Sequence, residues 1–555
     1  MTIVYPGTLD SFGNPAGTTL LADASYLHNV QHSDANDAIE ALETKVGLGV
    51  GTPTANNILV GSGNGTAIWG SVWTNGSLVN PNISGGTITN GTIISGTIGT
   101  AVVISGVTKP FITVGYSNAD YITDGTSDQV QIQAAIDAVN TNGGGVVYLK
   151  EGTYSIDPTD STNTQAASQL YPFYGLLMKD NVHLVGDGIG ATYLTTSDIP
   201  VGTIGSYFVM LTCSTAPVSN ISIEKMNMTL APFLGGTTGY YDIAFYFGGA
   251  TNSYFRDLYL TNAGWRIEGK TYAFDGTTKE FTSDSNNILF DNITHDGGLQ
   301  TNFIYYATNV KVNNCNFYNW YDDILGVFAA GQRIHITNNV FDGQSGTAPG
   351  ASTGAVYLLN DRSISTDYKV VSDVKLDNNI IRKFSITGDS AGIAIADCDT
   401  IDITNNTIDG CGRGITNAGG FGMHNVKILG NTIRNNEQYG IYFVDSAQFN
   451  IKDVEISHNS IYNNTGNAAV ITTGRAGTLL SGLSMVGNKI YDDQGTITQI
   501  AGVQITASGA SVVANNILYV GNHTYSGTAV DVIQENTGGT VTNKKIKSNT
   551  GIADN

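Results

Sequence analysis

One pattern recurs through the second half of the chain and leaves few folds open to it: apolar-x-apolar-x-x-Asn-x-apolar. It reads Ile334-Ile336-Asn339-Phe341, Val374-Leu376-Asn379-Ile381, Ile401-Ile403-Asn406-Ile408, Val426-Ile428-Asn431-Ile433, Val454-Ile456-Asn459-Ile461 and Leu483-Met485-Asn488-Ile490. A weaker copy, Val513-Asn516-Leu518, follows, and two upstream copies, Ile288-Phe290-Asp291-Ile293 and Val310-Val312-Cys315-Phe317, carry other residues at the Asn position. From Asp291 onward the copies stand 24 to 29 residues apart, save one step of 40. A fixed period of this size marks stacked units, none of which can bury its apolar face alone.

Each unit offers strands whose alternate side chains face one core, and an Asn that tolerates left-handed backbone at a turn. Coils stacked ~4.8 Å apart bring the asparagines into a ladder of side-chain amides. A β-sandwich would instead put turn signals every ~8–12 residues, with no constant longer spacing. The expected body is therefore a coiled ladder of parallel strands. Two stretches lengthen their coils, Gly269–Ser285 and Gln344–Val370. Insertions in a solenoid leave the core as loops on one side and commonly wall a binding face.

A chain of 555 residues is too long for one compact core, but not for an elongated repeat. With 41% hydrophobic and 13% charged residues it has the composition of a folded protein. The formal charge of −21 repels phosphate backbones and anionic leaflets, so neither nucleic acid nor a membrane surface is an expected partner. No apolar run nears the roughly 20 residues of a membrane-spanning helix, and the first residues, MTIVYPGTLD, lack the charge and apolar core of a secretory signal. Cys213, Cys315, Cys398 and Cys411 have neither metal-binding spacing nor the density of a disulfide framework, and read as buried thiols.

Ahead of the repeats the chain is modular. Ala38, Ile39, Leu42 and Val46 form one stripe of a short amphipathic helix over Ser33–Val46, too short to stand alone. Asn56–Trp73 reads as a hairpin-rich module. Leu78, Ile83, Ile88, Ile93, Ile98 and Val103 then recur every five residues among Gly, Ser, Thr and Asn. Such spacing fits a β-structured stem in which identical chains share an apolar axis, threefold being the expected symmetry. The alternative is a flexible linker, which gains nothing from regularly placed isoleucines.

Between stem and repeats, Ser127 and Asp128 can cap a helix whose Ile132, Ala135, Ile136 and Val139 share a face, and Gly143–Gly145 end it before the strand Val146–Leu149. This order of Asp-Gly, helix and Gly-Gly-Val-Val-Tyr-Leu-x-x-Gly-x-Tyr resembles the pectate-lyase superfamily of right-handed parallel β-helices, in which such a helix covers the N-terminal end. The expectation is an all-β chain with an N-terminal module over 1–75, a stem over 76–108, a right-handed parallel β-helix over 109–540 with its capping helix, and a tail over 541–555.

Candidate chemistry gathers around two tryptophans of the body, in Trp265-Arg266-Ile267-Glu268 and Trp320-Tyr321-Asp322-Asp323. Registering the coils on Leu260, Ile293 and Phe317 puts Glu268 and Asp323 about two coils, roughly 10 Å, apart. Carboxyl groups of glycosidases stand ~5–5.5 Å apart when retaining and ~6.5–9.5 Å when inverting, so the spacing favours inversion. In this reading Glu268 with Asp322 or Asp323 is catalytic, Arg266 holds a sugar oxygen or carboxylate, and Trp265, Trp320 and Tyr321 stack on sugar rings. His295 and Asp296 are an alternative base pair. The alternative for the acids is solvated turn residues on a solenoid surface.

Asp322-Asp323 also resembles the double aspartate of polygalacturonase-like hydrolases on this fold, although their Gly-His-Gly and Arg-Ile-Lys elements are absent. A lyase would need a Lys, Arg, Tyr or His base and would bind Ca²⁺ through acidic residues, with Arg256, Asp257 and Arg266 as candidates; a hydrolase needs no cofactor.

Front module, stem and capped β-helix together resemble bacteriophage tailspikes and related receptor-binding tail proteins. The resemblance implies a homotrimer joined to phage tail or baseplate proteins by its front end, made in the host cytoplasm without a signal peptide and carried on the virion tail. Its partner would be host cell-surface polysaccharide, bound and cleaved by a depolymerase. The alternative is a non-enzymatic receptor-binding fibre. Deleting Leu78–Val103 is predicted to shift the mass in solution from trimer toward monomer, measured by light scattering; an unaltered oligomer would refute the stem's role.

Overall fold

The computed structural model describes residues 102–547 with breaks, the longest at 161–172, 197–207, 231–242, 344–353 and 360–369. Ahead of these it describes the strands Asn57–Gly61, Ala67–Ser71, Trp73–Thr74 and Ser77–Leu78. The chain divides into two units, Met1–Thr92 and Ile93–Asn555. In the first, Asn57–Gly61 pairs antiparallel with Ala67–Ser71, and Trp73–Thr74 with Ser77–Leu78. The amphipathic segment Ser33–Val46 and Ile83, Ile88, Ile93 and Ile98 of the five-residue repeat lie outside the described residues.

The second unit is a right-handed parallel β-helix with three strands to the coil. A representative coil is Gln332–Thr337, Val340–Gly343 and Val356–Leu359. First and second strands merge into one parallel ladder, and third strands build another, with 28 and 14 strands among the described residues. The first ladder runs to Thr540–Thr542 and Lys545–Lys547, and the second to Ile533–Thr537.

The core is made of columns. Ile334, Val374, Ile401, Val426, Val454 and Leu483 lie level with one another down the first strands, all buried. Val356, Ile393, Ile415, Ile441, Val470 and Val503 lie level down the third strands, and Val356, Ile393, Ile415, Ile441 and Val503 are buried. The helix Gln129–Thr141 closes the N-terminal end, burying Ile132, Ala135, Ile136 and Val139 as its pattern predicts. Asp128 does not cap it through the side chain; its carboxylate accepts the N–H groups of Gly125 and Ser155 at 3.0 and 2.8 Å, tying the helix start to the strand Gly152–Ser155. Gly144, at φ +101°, ends the helix where a Cβ would lie 2.3 Å from Asn181.

The asparagines form the expected ladder at the turn between first and second strands. Asn379 Nδ2 donates to Asn406 Oδ1 at 2.9 Å and to the Ile336 carbonyl at 2.8 Å, while its backbone N–H donates to the same Asn406 oxygen at 2.9 Å. The same set of bonds recurs at Asn339, Asn406, Asn431 and Asn459, and Asn488 Nδ2 donates to the Ile456 carbonyl at 2.8 Å. Before each stands a residue with positive φ: Asn338, Asn378, Asn405, Gly430, His458 or Gly487. That left-handed step makes the corner, which Asn and Gly adopt at little cost. Sequence reading missed a second column, Asn436 over Asn464 at 2.8 Å, after the second strands.

Upstream the register differs from expectation by two residues. Asp291 is level with Asn313, Ile293 with Leu258, and His295 lies between Leu260 and Phe317. Asn292, at φ +53°, makes the corner, so Ile293 rather than Asp291 takes the ladder position. Where that position is apolar, the alternating pattern fits two registers and the Asn no longer chooses between them.

The shift puts an imidazole in a core column whose neighbouring members are Met228, Leu260, Phe317 and Phe341. His295 is fully buried against the Ala263 carbonyl and the Phe317 ring, and burial pushes its pKa down to about 3. All four cysteines are buried free thiols; burial raises Cys213 to about 11 and Cys315 and Cys411 to about 12.

Two predictions follow from these columns. Asn406→Leu strands the Asn379 amide and side-chain donors in a dry corner, at a cost of roughly 2–4 kcal/mol; hydrogen exchange at the Asn379 amide should speed up, and unchanged protection would contradict the ladder's role. For His295 the folded pKa of about 3 lies below the unfolded ~6.5. The unfolded chain therefore binds the extra proton, and stability falls as pH drops from about 6.5 toward 3, by on the order of 4 kcal/mol from this group. His295→Phe should remove that share of the acid sensitivity in melting curves, and identical pH profiles would contradict it.

Candidate functional site

Two third strands, Val356–Leu359 and Ile441–Val444, have one face in the core and the other half open. Ala391–Ala396 is buried on both faces, and so are four strands upstream of it, Ile243–Gly248, Gly264–Glu268, Asn302–Tyr305 and Leu325–Phe328. Their inward side chains, among them Phe245, Phe247, Trp265, Ile267, Ile304 and Val327, belong to the main core. Their outward side chains form a second cluster, in which Phe303, Tyr305, Tyr306 and Phe328 pack with Tyr357 and Leu359.

Two charges sit among these rings. Strand alternation sends Arg266 and Glu268 outward together. Arg266 is level with Tyr246 on one side and Phe303 on the other. Its guanidinium lies over the Phe303 ring at 4.6 Å and the Tyr305 ring at 5.7 Å, with Nη1 3.6 Å from Glu268 Oε1. The Tyr246 hydroxyl donates to Glu268 Oε2 at 2.9 Å. The Arg266 and Glu268 side chains are only 10% and 1% exposed, so a guanidinium and a carboxylate are both held out of water by rings.

A buried ion pair gains little net stability, because desolvating both ions offsets most of their attraction. The arrangement brings aromatic faces, a planar five-donor cation and a carboxylate, the groups used in sugar recognition, into one enclosed cluster beneath the outer face.

Both predicted insertions flank this face in chain order. The segment after Glu268 leaves the stack as a hairpin, Lys270–Phe274 against Lys279–Ser283. The segment Gln344–Val370 is not all loop, since it contains the third strand Val356–Leu359, with described residues lacking on either side at 344–353 and 360–369.

Of the predicted site residues, Arg266 and Glu268 come together on the outer face. Trp265 does not join them: one residue along the strand, it points inward, 1% exposed and stacked 3.9 Å from Phe290, so it offers no face to a sugar. His295 and Asp296 likewise cannot act as a pair. The strand Ser285–Gly298 turns His295 into the core and Asp296 outward, where its Oδ2 accepts from the Tyr259 hydroxyl at 3.2 Å, on the other ladder from Glu268. Trp320 ends the strand Asn316–Trp320, level with Gly298. Tyr321, Asp322 and Asp323 lie outside the described residues.

Sequence reading missed Tyr246, Phe303, Tyr305, Phe328 and Tyr357. The available signal was aromatic or aliphatic residues at both parities of a third strand, as in Phe245-Tyr246-Phe247, which marks a strand covered on both faces. Among the described residues no three His, Cys, Asp or Glu side chains are grouped to hold a metal ion.

Comparison with known proteins bears on the scaffold. The curated proteins with local similarity include mannuronan C5-epimerase AlgE1 of Azotobacter vinelandii, 43% identical over 76 residues, 14% of this chain and 5% of that protein. Alginate lyase 7 of the same organism is 40% identical over 73 residues, 13% of this chain and 8% of that protein. The chain thus spans less than a tenth of the length of these relatives. Among solved structures, tailspike protein 3 of bacteriophage CBA120 is similar at 13% identity and a TM-score of 0.47, over 82% of this chain and 65% of that one. Gene product 12 of bacteriophage phi29 is similar at 14% identity and a TM-score of 0.48, over 74% and 56%. Residues 359–490 match the model of the right-handed β-helix region, the part of the stack where the asparagine ladder is continuous.

Proposed function

We propose that this chain is a tailspike-like receptor-binding protein whose β-helix binds host cell-surface polysaccharide along the outer face of the third-strand ladder and cleaves it. The observation that carries this reading is the outward cluster of Arg266 and Glu268 among Tyr246, Phe303, Tyr305, Phe328 and Tyr357. Sugar rings present apolar C–H faces that pack on aromatic rings, and hydroxyls or carboxylates that pair with a guanidinium. A trimer carried on a phage tail through the front module belongs to the same reading.

For cleavage we assign inverting hydrolysis. Glu268 Oε2 is held as an acceptor by the Tyr246 hydroxyl, which suits a general base. It takes a proton from water as the water oxygen bonds to the anomeric carbon. Asp322 or Asp323 gives its proton to the departing glycosidic oxygen as the carbon–oxygen bond breaks. Atoms and charge balance, and no metal is required. A non-cleaving fibre is the second reading, favoured by the near-complete enclosure of Glu268 by Arg266 and Tyr246. A lyase is the third, with Arg266 beside the carboxylate of an acidic sugar.

Incubation with host capsule or cell-wall glycan separates them. New reducing ends without absorbance from unsaturated sugar support hydrolysis, unsaturated product supports the lyase, and binding without product supports the fibre. Under hydrolysis, Glu268→Gln and Asp323→Asn are each expected to lower turnover ~10²-fold or more with the fold intact. Unchanged turnover would remove those residues from the mechanism.

A further inference from the structure

His424 stands on the open face of the first strands, and both nitrogens of its ring are engaged. Nδ1 lies 3.2 Å from Asp399 Oδ2, and Nε2 lies 3.0 Å from Asp453 Oδ2. The two acids belong to the neighbouring coils: Asp399 is in the strand Cys398–Thr404, His424 in Met423–Leu429 and Asp453 in Ile451–Ser457. These strands are consecutive in the ladder, so one imidazole links three coils, about 10 Å of the stack.

Each carboxylate is also held from its other side. Thr400 Oγ1 donates to Asp399 Oδ1 at 2.9 Å and accepts from Asn425 Nδ2 at 3.1 Å. Asp453 makes a corner at φ +54°, and its Oδ1 fills the space over Gly482, where a Cβ would lie 2.4 Å away. Both acids thus keep one oxygen aimed at the ring. A neutral imidazole has one N–H and one lone pair, whereas an imidazolium has two N–H groups. Two acceptors at hydrogen-bond distance fit the protonated ring; the neutral ring turns its lone pair toward one of them.

We infer that His424 is a pH-sensitive staple, which as an imidazolium donates to Asp399 and Asp453 together and on deprotonation lets go of one of them. It stands on a different ladder from Arg266 and Glu268 and involves no ligand. The surrounding charges set its balance: Asp399 and Asp402 face it from the strand before, Lys452, Asp453 and Glu455 from the strand after, and Lys427 from its own. Lys452, level with His424, opposes protonation, while Lys427 is level with Asp402 on one side and Glu455 on the other, which offset it. The hydrogen bond to Asp399, then that to Asp453, raises the His424 pKa above its ordinary value. With its folded pKa raised, the staple contributes fully below the unfolded ~6.5 and is lost as pH rises through the folded value. The His424, Asp399 and Asp453 side chains are 51%, 42% and 62% exposed, so the contribution is local.

Histidine C2 hydrogen exchange, read by mass spectrometry on the full-length chain, follows the titration of His424 directly. In the wild type its midpoint is expected above the ~6.5 of an unconstrained histidine, and Asp399→Asn and Asp453→Asn are each expected to lower it. A wild-type midpoint at or below that value, or one that neither substitution moves, overturns the staple. Backbone amide exchange in the Ile451–Ser457 peptide gives the structural readout. Near pH ~5.5 it should be about two- to fivefold slower in the wild type than in His424→Ala, and near pH ~9 the two should coincide. A ratio of rates that is the same at both pH values contradicts the switch.

Discussion

From Asn339 to Asn488 the stack depends on the amide column at the corner between first and second strands. Each ladder Asn presents one oxygen to two donors of the coil before it, and spends its own amide on that coil's strand carbonyl and the next coil's oxygen. A corner that would otherwise bury unpaired backbone groups is thereby satisfied. The column also fixes register, because an Asn displaced by one residue would meet neither partner. Since strand side chains alternate, fixing the corner fixes which residues of every following strand point out.

The candidate site owes its rigidity to its strands, since its coils carry Leu258, Ile293 and Cys315 at the ladder position. Arg266 and Glu268 are not on a loop; they are consecutive outward positions of a strand held on both sides by parallel neighbours. Their rings and charges are therefore organised before any ligand arrives, which spares a ligand the entropy of ordering them.

The solenoid was legible in the sequence because a buried Asn at a constant interval is a costly residue to place and marks the corner each time. The capping helix was legible for a similar reason, with its apolar stripe and terminal glycines at fixed offsets. Legibility failed where the marker was missing. Ile293 and Cys315 occupy the ladder position upstream, and with only apolar alternation left, His295 was assigned outside when it lies in the core. Trp265 was grouped with Arg266 by adjacency, although neighbours on a strand face opposite ways. Tyr246, Phe303 and Phe328 were invisible because apolar residues fill both parities of those strands, and periodicity alone does not say which parity is the outer one.

The central claim is that the third-strand ladder, and not the ladder of first and second strands, carries the glycan face. Hydrogen-exchange footprinting with saturating host polysaccharide tests it directly. The account predicts new protection in peptides covering Gly264–Glu268, Asn302–Tyr305, Leu325–Phe328 and Ile441–Val444, with none over Ala307–Asn313, Gln332–Thr337 and Cys398–Thr404. Protection confined to those first-strand peptides would contradict it.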